Sequence, residues 1–126
     1  MTPASLRALV ASGDPRVRQI VTWLLEQDPR FEVVASVGSG DDAAGWSGPI
    51  DAAIVELAVP GLDAFQTARD LRERHPDIKV LIIATVDGPY FRDAANAAGA
   101  AGYEDLSAEE VNPANVLAEL CFGSGP

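Results

Sequence analysis

Short apolar runs alternate with segments of helical character five times along this chain. Runs that are apolar throughout are typical of strands buried on both faces, with helices in the segments between them. The alternation predicts an α/β fold, with a doubly wound parallel sheet of five strands and with five helices. The predicted strands are Leu6–Ala11, Phe31–Val37, Ala52–Leu57, Val80–Ala84 and Ala101–Tyr103.

Capping residues mark where the predicted helices begin. Asp14 and Pro15 combine a side-chain cap with a fixed φ, and apolar residues follow them at helical spacing. In the glycine-rich segment after the second strand, only a short helix over Asp42–Trp46 fits. The last helix has two possible starts, at Ser107 or at Asn112, because each of these residues can cap a first turn.

Charge and composition restrict the partners of the chain. The formal charge is −10, with 19 acidic residues against 9 Lys and Arg, which argues against nucleic acid as a direct partner. No apolar stretch reaches the length of a membrane span, so we expect a cytoplasmic protein without membrane contact. Cys121 is the only cysteine and His75 the only histidine, so we expect neither an internal disulfide nor a soft-ligand metal cage.

The length of 126 residues is enough for one compact core and too short for two ordinary domains. We predict one domain over residues 1–121. Residues 122–126 end in the sequence Gly-Ser-Gly-Pro, which is typical of a linker or tail.

Any functional site is expected where the predicted strands end. In a doubly wound sheet, ligands bind at the carboxyl ends of the strands. Glu56 is notable there because it is an acid that directly ends an otherwise apolar strand. The residues predicted to meet at this edge are Ser12, Gly13, Asp14, Glu56, Ala84, Thr85 and Leu106.

Three segments resemble parts of a known family. Residues 52–63 resemble a phosphoacceptor strand with its Pro-Gly turn, residues 71–80 a third helix that leads into a fourth strand, and residues 98–103 the turn into a fifth strand. From about Leu6 to Leu120, the chain resembles a bacterial response-regulator receiver domain of the CheY-like, flavodoxin-like kind. The resemblance implies the strand order 2-1-3-4-5 and a place in a two-component system.

The resemblance also implies which positions would carry phosphorylation chemistry. In that family, two acids after the first strand and an aspartate after the third hold Mg²⁺, while a threonine and a lysine bind the phosphoryl group. The matching positions are Ser12 and Gly13 for the acids, Glu56 for the phosphoacceptor, Ala84 for the threonine and Leu106 for the lysine, with Asp14 and Thr85 beside them. Because phosphoryl transfer needs a metal and fixed cations, we predict a degenerate pseudo-receiver that is not an enzyme and uses no cofactor or metal.

Glu56 leaves several alternatives open. Its carboxylate reaches one methylene beyond the aspartate that it replaces, so it could imitate a phosphorylated state. We favour a vestigial carboxylate, because Ala84 and Leu106 carry neither a hydroxyl nor an ammonium group that could bind it. The altered pocket could instead sense a small molecule. Glu56 or another acid could also still accept a phosphoryl group.

The predicted output is contact with another protein. Tyr103 matches an aromatic residue that changes rotamer on phosphorylation in the family, but we favour an ordinary packed ring because the threonine is missing. The family dimerises through the face of the fourth helix, fifth strand and fifth helix. The contact residues predicted there are Tyr90, Arg92, Asn96 and Tyr103. We expect a homodimer through this face, a partner protein or a fused effector domain, acting in signalling or transcription regulation.

Overall fold

The computed structural model describes residues 5–85, 89–107 and 111–123, in which five strands alternate with five helices. The strands are β1 (Leu6–Ala11), β2 (Phe31–Val37), β3 (Ala52–Glu56), β4 (Lys79–Ala84) and β5 (Gly102–Asp105). The helices are α1 (Pro15–Glu26), α2 (Gly40–Ala44), α3 (Ala64–Arg74), α4 (Pro89–Ala97) and α5 (Pro113–Phe122). Within these described ranges, every helix is too short or too polar to cross a membrane.

The five strands form one parallel sheet in the order β2-β1-β3-β4-β5. This order confirms the predicted doubly wound topology. β1 and β3 are neighbours, with Ala11 opposite Val55, and the pairing of β3 with β4 continues to Glu56 opposite Ile83. The carboxyl ends of β1, β3 and β4 therefore lie side by side, which brings Ser12 and Glu56 to the same edge of the sheet.

Helices pack on both faces of the sheet and bury them. Successive side chains of a strand point to opposite faces, so each strand contributes to two cores. On β3, Ala53 and Val55 belong to the core that also contains residues of α2, α3 and α4. Ala52 and Ile54 belong to the other core, which contains residues of α1 and α5. All four side chains are fully buried. The apolar surface removed from water on the two faces is the main force that holds the layers together.

The structure corrects several predicted boundaries. β3 ends one residue before its predicted end, β4 begins one residue before its predicted start, and α2 ends at Ala44, two residues before its predicted end. The second helix begins at Gly40, two residues before the predicted start, because the side chain of Ser39 accepts a hydrogen bond from Asp42 N and caps the helix there. The last strand extends to Asp105, beyond its predicted end, because its pairing with β4 continues to the residue opposite Ala84. Pairing with a distant strand decided the end of β5, whereas the cap at Ser39 is local to the helix that it begins.

Of the two possible starts of the last helix, the one at Asn112 is confirmed. Asn112 Oδ1 accepts a hydrogen bond from Ala114 N over 2.9 Å and caps α5. Ser107 instead donates through its backbone N–H and its hydroxyl to Asp105 Oδ1, over 2.8 and 2.6 Å. Residues 108–110, which follow Ser107, lie outside the described part of the chain.

Two isoleucines offer a matched test of the two-sided burial. Ile54 is 0% exposed, whereas Ile20 is 59% exposed. Because truncation of a buried side chain loses transfer free energy and leaves a cavity, we expect Ile54→Ala to lower the free energy of unfolding by about 2–5 kcal/mol. Ile20→Ala should change it by less than about 0.5 kcal/mol. Urea unfolding followed by circular dichroism measures both, and equal losses would contradict the central position of β3.

Candidate functional site

A short hydrogen bond joins two of the predicted site residues where β1 and β3 end. Ser12 Oγ lies 2.6 Å from Glu56 Oε1. The hydroxyl is the donor, since a carboxylate oxygen accepts, and a bond of this length between these groups is of the strong, charge-assisted kind. Ser12 is 1% exposed and Glu56 is partly buried. The carboxylate of Glu56 is therefore held towards the end of β1.

Neighbouring groups fix the orientation of Ser12. Asp14 N donates to Ser12 Oγ over 3.1 Å, and Arg18 Nη1 donates to the Ser12 carbonyl oxygen over 2.7 Å. The hydroxyl has a single proton, and the 2.6 Å contact with Glu56 is favoured over the 3.2 Å contact with the Asp14 carbonyl oxygen. Arg18 is not among the residues predicted from the sequence. Its position in the first turn of α1, which follows β1, is the signal that could have suggested it.

Pro60 fills the space in front of Gly13. A Cβ atom placed on Gly13 would lie 2.8 Å from Pro60 Cγ and closer still to Pro60 Cδ. Real Cβ atoms essentially never come this close to another heavy atom. A side chain at position 13 therefore requires the proline ring to move. Of the two positions matched to the acid pair, one is thus a hydrogen-bonded serine and the other is covered by a proline ring.

The loop that carries Pro60 is fastened to the start of α2. Gly40 N donates to the Pro60 carbonyl oxygen over 3.0 Å, and Leu62 N donates to Asp41 Oδ2 over 3.0 Å. Gly61 has a φ of 76°, and a Cβ atom there would collide with the Asp41 carboxylate. Glycine is therefore favoured at position 61 for two reasons, its backbone conformation and the close approach of Asp41. Sequence analysis identified only the turn.

The side chains of the other predicted pocket residues lie in different surroundings. Asp14 is exposed, and its Oδ1 accepts a hydrogen bond from Arg16 N over 2.9 Å, so it caps α1. Ala84 is buried at the end of β4, and its carbonyl oxygen accepts a hydrogen bond from Leu106 N. The Leu106 side chain packs against the core shared with α1 and α5. Thr85 is exposed. The positions matched to the threonine and the lysine thus carry only alkyl groups.

The predicted contact residues lie on α4 and β5. Tyr90, Arg92 and Asn96 are exposed on α4. Tyr103 on β5 is 7% exposed and belongs to the core shared with α2, α3 and α4. The ring therefore lies inside the fold, beneath the helix that carries the other three residues.

Similar proteins include response regulators. The chain is 34% identical over 101 residues to the nitrate/nitrite response regulator protein homolog of Haemophilus influenzae, a match that covers 78% of this chain and 48% of that protein. It is 32% identical over 101 residues to the protein-glutamate methylesterase/protein-glutamine glutaminase of group 2 operon of Rhodospirillum centenum, covering 77% of this chain and 26% of that protein.

A solved structure with the same architecture is the signal receiver domain of the response regulator NarL from Mycobacterium tuberculosis. The TM-score is 0.86 at 24% identity, and the match covers 96% of this chain and 99% of that chain. No family model matches the chain.

Fold and sequence relatives together define the class of the protein. The strand order and the five helices match the CheY-like receiver fold, and the relatives support a response-regulator receiver domain. This agrees with the family that the sequence resembles. The chain spans only 48% and 26% of the lengths of the Haemophilus influenzae and Rhodospirillum centenum proteins. The methylesterase named for the Rhodospirillum centenum protein is an activity of that whole protein, of which the chain matches 26%.

The receiver fold implies a Mg²⁺ site, and the residues present do not fit one. Magnesium requires a near-octahedral set of oxygen ligands, usually with carboxylates among them. The Ser12 hydroxyl directs its proton at Glu56, and the Asp14 carboxylate caps α1. Gly13 offers no side chain, and Pro60 occupies the adjacent space. Among the residues that the structure describes, no three His, Cys, Asp or Glu side chains are grouped so that they could hold a metal ion.

A double-mutant cycle tests the packing of Pro60 against Gly13. Gly13→Ala places a Cβ atom against the proline ring, so we expect it to lower the free energy of unfolding by about 1–3 kcal/mol. In a Pro60→Ala background the ring atoms are gone, and the same substitution should cost less than about 0.5 kcal/mol. Urea unfolding of the four proteins gives the coupling, and an equal cost in both backgrounds would show that Pro60 does not fill this space.

Proposed function

We propose that this chain is a pseudo-receiver, a receiver domain that regulates through protein contacts and works without phosphorylation. The observation that carries the proposal is how the groups at the ends of β1 and β3 are used by the fold itself. The Glu56 carboxylate, which matches the phosphoacceptor, is bonded to the Ser12 hydroxyl, and Pro60 lies against Gly13. The hydrogen bond from Ser12 stabilises the charge of this carboxylate, which makes Glu56 a weaker nucleophile.

The charges around the pocket also argue against phosphoryl transfer. The transition state spreads negative charge over the phosphoryl oxygens, and a metal and fixed cations must stabilise it. Ala84 and Leu106 supply no cation or hydrogen-bond donor from their side chains. Arg18 is a nearby cation, but its Nη1 is bonded to the Ser12 carbonyl oxygen over 2.7 Å. The geometry therefore supports a pocket that has lost its chemistry.

The same contacts favour a vestigial Glu56 over a mimic of the phosphorylated state. A mimic acts only through groups that respond to its charge. The group that meets Glu56 is the hydroxyl of Ser12, which follows β1, whereas the side chains at the positions of the threonine and the lysine are alkyl. The carboxylate of Glu56 thus has a local structural role, in which it satisfies a buried hydroxyl.

The output is proposed to be a protein contact. Relatives of this chain include response regulators, of which it spans less than half. We therefore propose that the domain acts on a fused effector domain or on a separate partner in signalling or transcription regulation. A homodimer through α4, β5 and α5 is one form of this contact. With a net charge of −10, any contact with DNA would come from another domain.

Exposure to a small phosphodonor tests the proposal directly. The protein is incubated with acetyl phosphate and Mg²⁺, and its intact mass is measured. Because the proposal has no bound Mg²⁺ and no cation at the positions of Ala84 and Leu106, we expect the mass to stay unchanged. A phosphorylatable receiver domain treated in parallel shows that the donor is active.

The Glu56→Gln variant is the matched control, because it keeps the size and polarity of the side chain and removes the carboxylate. A phosphoryl adduct on the native protein that is absent from Glu56→Gln would overturn the proposal and show that Glu56 still accepts the group. An adduct present on both proteins would overturn it as well, and peptide mapping would identify the other acceptor.

A further inference from the structure

One arginine of α4 contacts both the ring and the backbone of Tyr103. The Arg92 Cζ atom lies 5.2 Å from the centroid of the Tyr103 ring. Arg92 Nη1 also donates a hydrogen bond to the Tyr103 carbonyl oxygen over 3.3 Å. A guanidinium over the face of an aromatic ring is attracted to it by a cation–π interaction. Two contacts of different kinds therefore join α4 to a single residue of β5.

We propose that Arg92 is a positioning residue that keeps the Tyr103 ring buried and thereby fixes the contact face of α4 and β5 in one form. This inference deepens the proposed function and rests on it, because it names a residue that sets the state of the proposed contact face. It requires no phosphodonor, no metal and no knowledge of the partner.

The burial of the two residues shows on which side of the ring Arg92 lies. Tyr103 is 7% exposed and shares a core with Ala84 and Ala95, whereas Arg92 is exposed. The guanidinium therefore covers the ring on its solvent side. For the ring to turn outwards, Arg92 must first leave this position.

The charge on β5 favours the same position of Arg92. Tyr103 and Asp105 point to the same side of β5, since they are two residues apart in a strand. The pKa of Asp105 is lowered, chiefly by hydrogen bonds from Ser107 and to a smaller extent by the positive charge of Arg92. The Asp105 carboxylate thus attracts the guanidinium of Arg92 in addition to the contact with the Tyr103 ring.

Arginine suits this place better than lysine does. Its planar guanidinium can stack on a ring and donate from its edge at the same time, whereas an ammonium group is a compact, strongly hydrated point charge. The geometry of Arg92 uses both properties, with the Cζ atom over the ring and Nη1 towards the carbonyl oxygen of the same residue. Lysine should therefore replace it only in part.

The tyrosines of the chain provide a direct measurement. The sequence contains two, Tyr103, which is 7% exposed, and Tyr90, which is 73% exposed. Nitration by tetranitromethane followed by peptide mass spectrometry gives the rate at each ring. In the native protein, Tyr90 should react much faster than Tyr103. In Arg92→Ala, we expect the rate at Tyr103 to rise about fivefold, as loss of a cation–π contact predicts, with the rate at Tyr90 unchanged.

Three variants separate positioning from a general loss of stability. Arg92→Lys keeps the charge without the planar group and should raise the Tyr103 rate less than Arg92→Ala does. Arg69→Ala removes another exposed arginine, on α3, and should leave the rate at the native level. Ile54→Val weakens the core away from Arg92, so it reports how much global opening contributes to the rate.

The inference is overturned if Tyr103 reacts equally fast in Arg92→Ala and in the native protein. It is also overturned if Ile54→Val, at the same measured loss of unfolding free energy, raises the Tyr103 rate as much as Arg92→Ala does. Because neither acetyl phosphate nor Mg²⁺ is present, these outcomes are independent of whether the pocket accepts a phosphoryl group.

Discussion

The burial of β3 on both faces is the constraint on which the rest of the structure depends. Residues Ala52 to Val55 are fully buried between two helical layers, so the first polar residue of the strand, Glu56, emerges only at its carboxyl end. β1 and β4 lie on either side in parallel. The segments that follow these three strands therefore converge on one edge. The site is located there because of the packing of the sheet, whichever side chains occupy the pocket.

Contacts between distant parts of the chain then decide what the site can do. Ser12 satisfies the carboxylate of Glu56, and the Pro60 ring occupies the space beside Gly13. Asp41 holds the loop that carries this ring. The first contact engages the carboxylate matched to the phosphoacceptor, and the second fills the space beside a position matched to the acid pair. The proposed function is therefore contact with a partner through the surface of the domain. That surface includes the face of α4 and β5, where Arg92 contacts Tyr103.

The fold could be predicted because its signals are local. The cap at Asp14, the cap at Asn112 and the apolar strands each act within a few residues, and the structure places helices and strands accordingly. One error arose where a neighbouring strand decided the boundary, since pairing with β4 extended the last strand to Asp105. Another, the start of α2, arose although its cap at Ser39 is local. The site could be predicted only in part. The meeting of Ser12 with Glu56 follows from strand order, but the use of Asp41 to hold a loop 21 residues later does not.

By itself, the sequence determined the class of fold, the cap that begins α1 and the identity of the groups available at the strand ends, since periodicity, caps and side-chain chemistry are properties of short segments. Only the tertiary structure decided that the serine hydroxyl meets the carboxylate, that a proline ring covers Gly13 and that a guanidinium covers Tyr103. The physical reason is that hydrogen bonds, close packing and cation–π contacts depend on distances of a few ångströms. Such distances between remote residues exist only once both cores have formed.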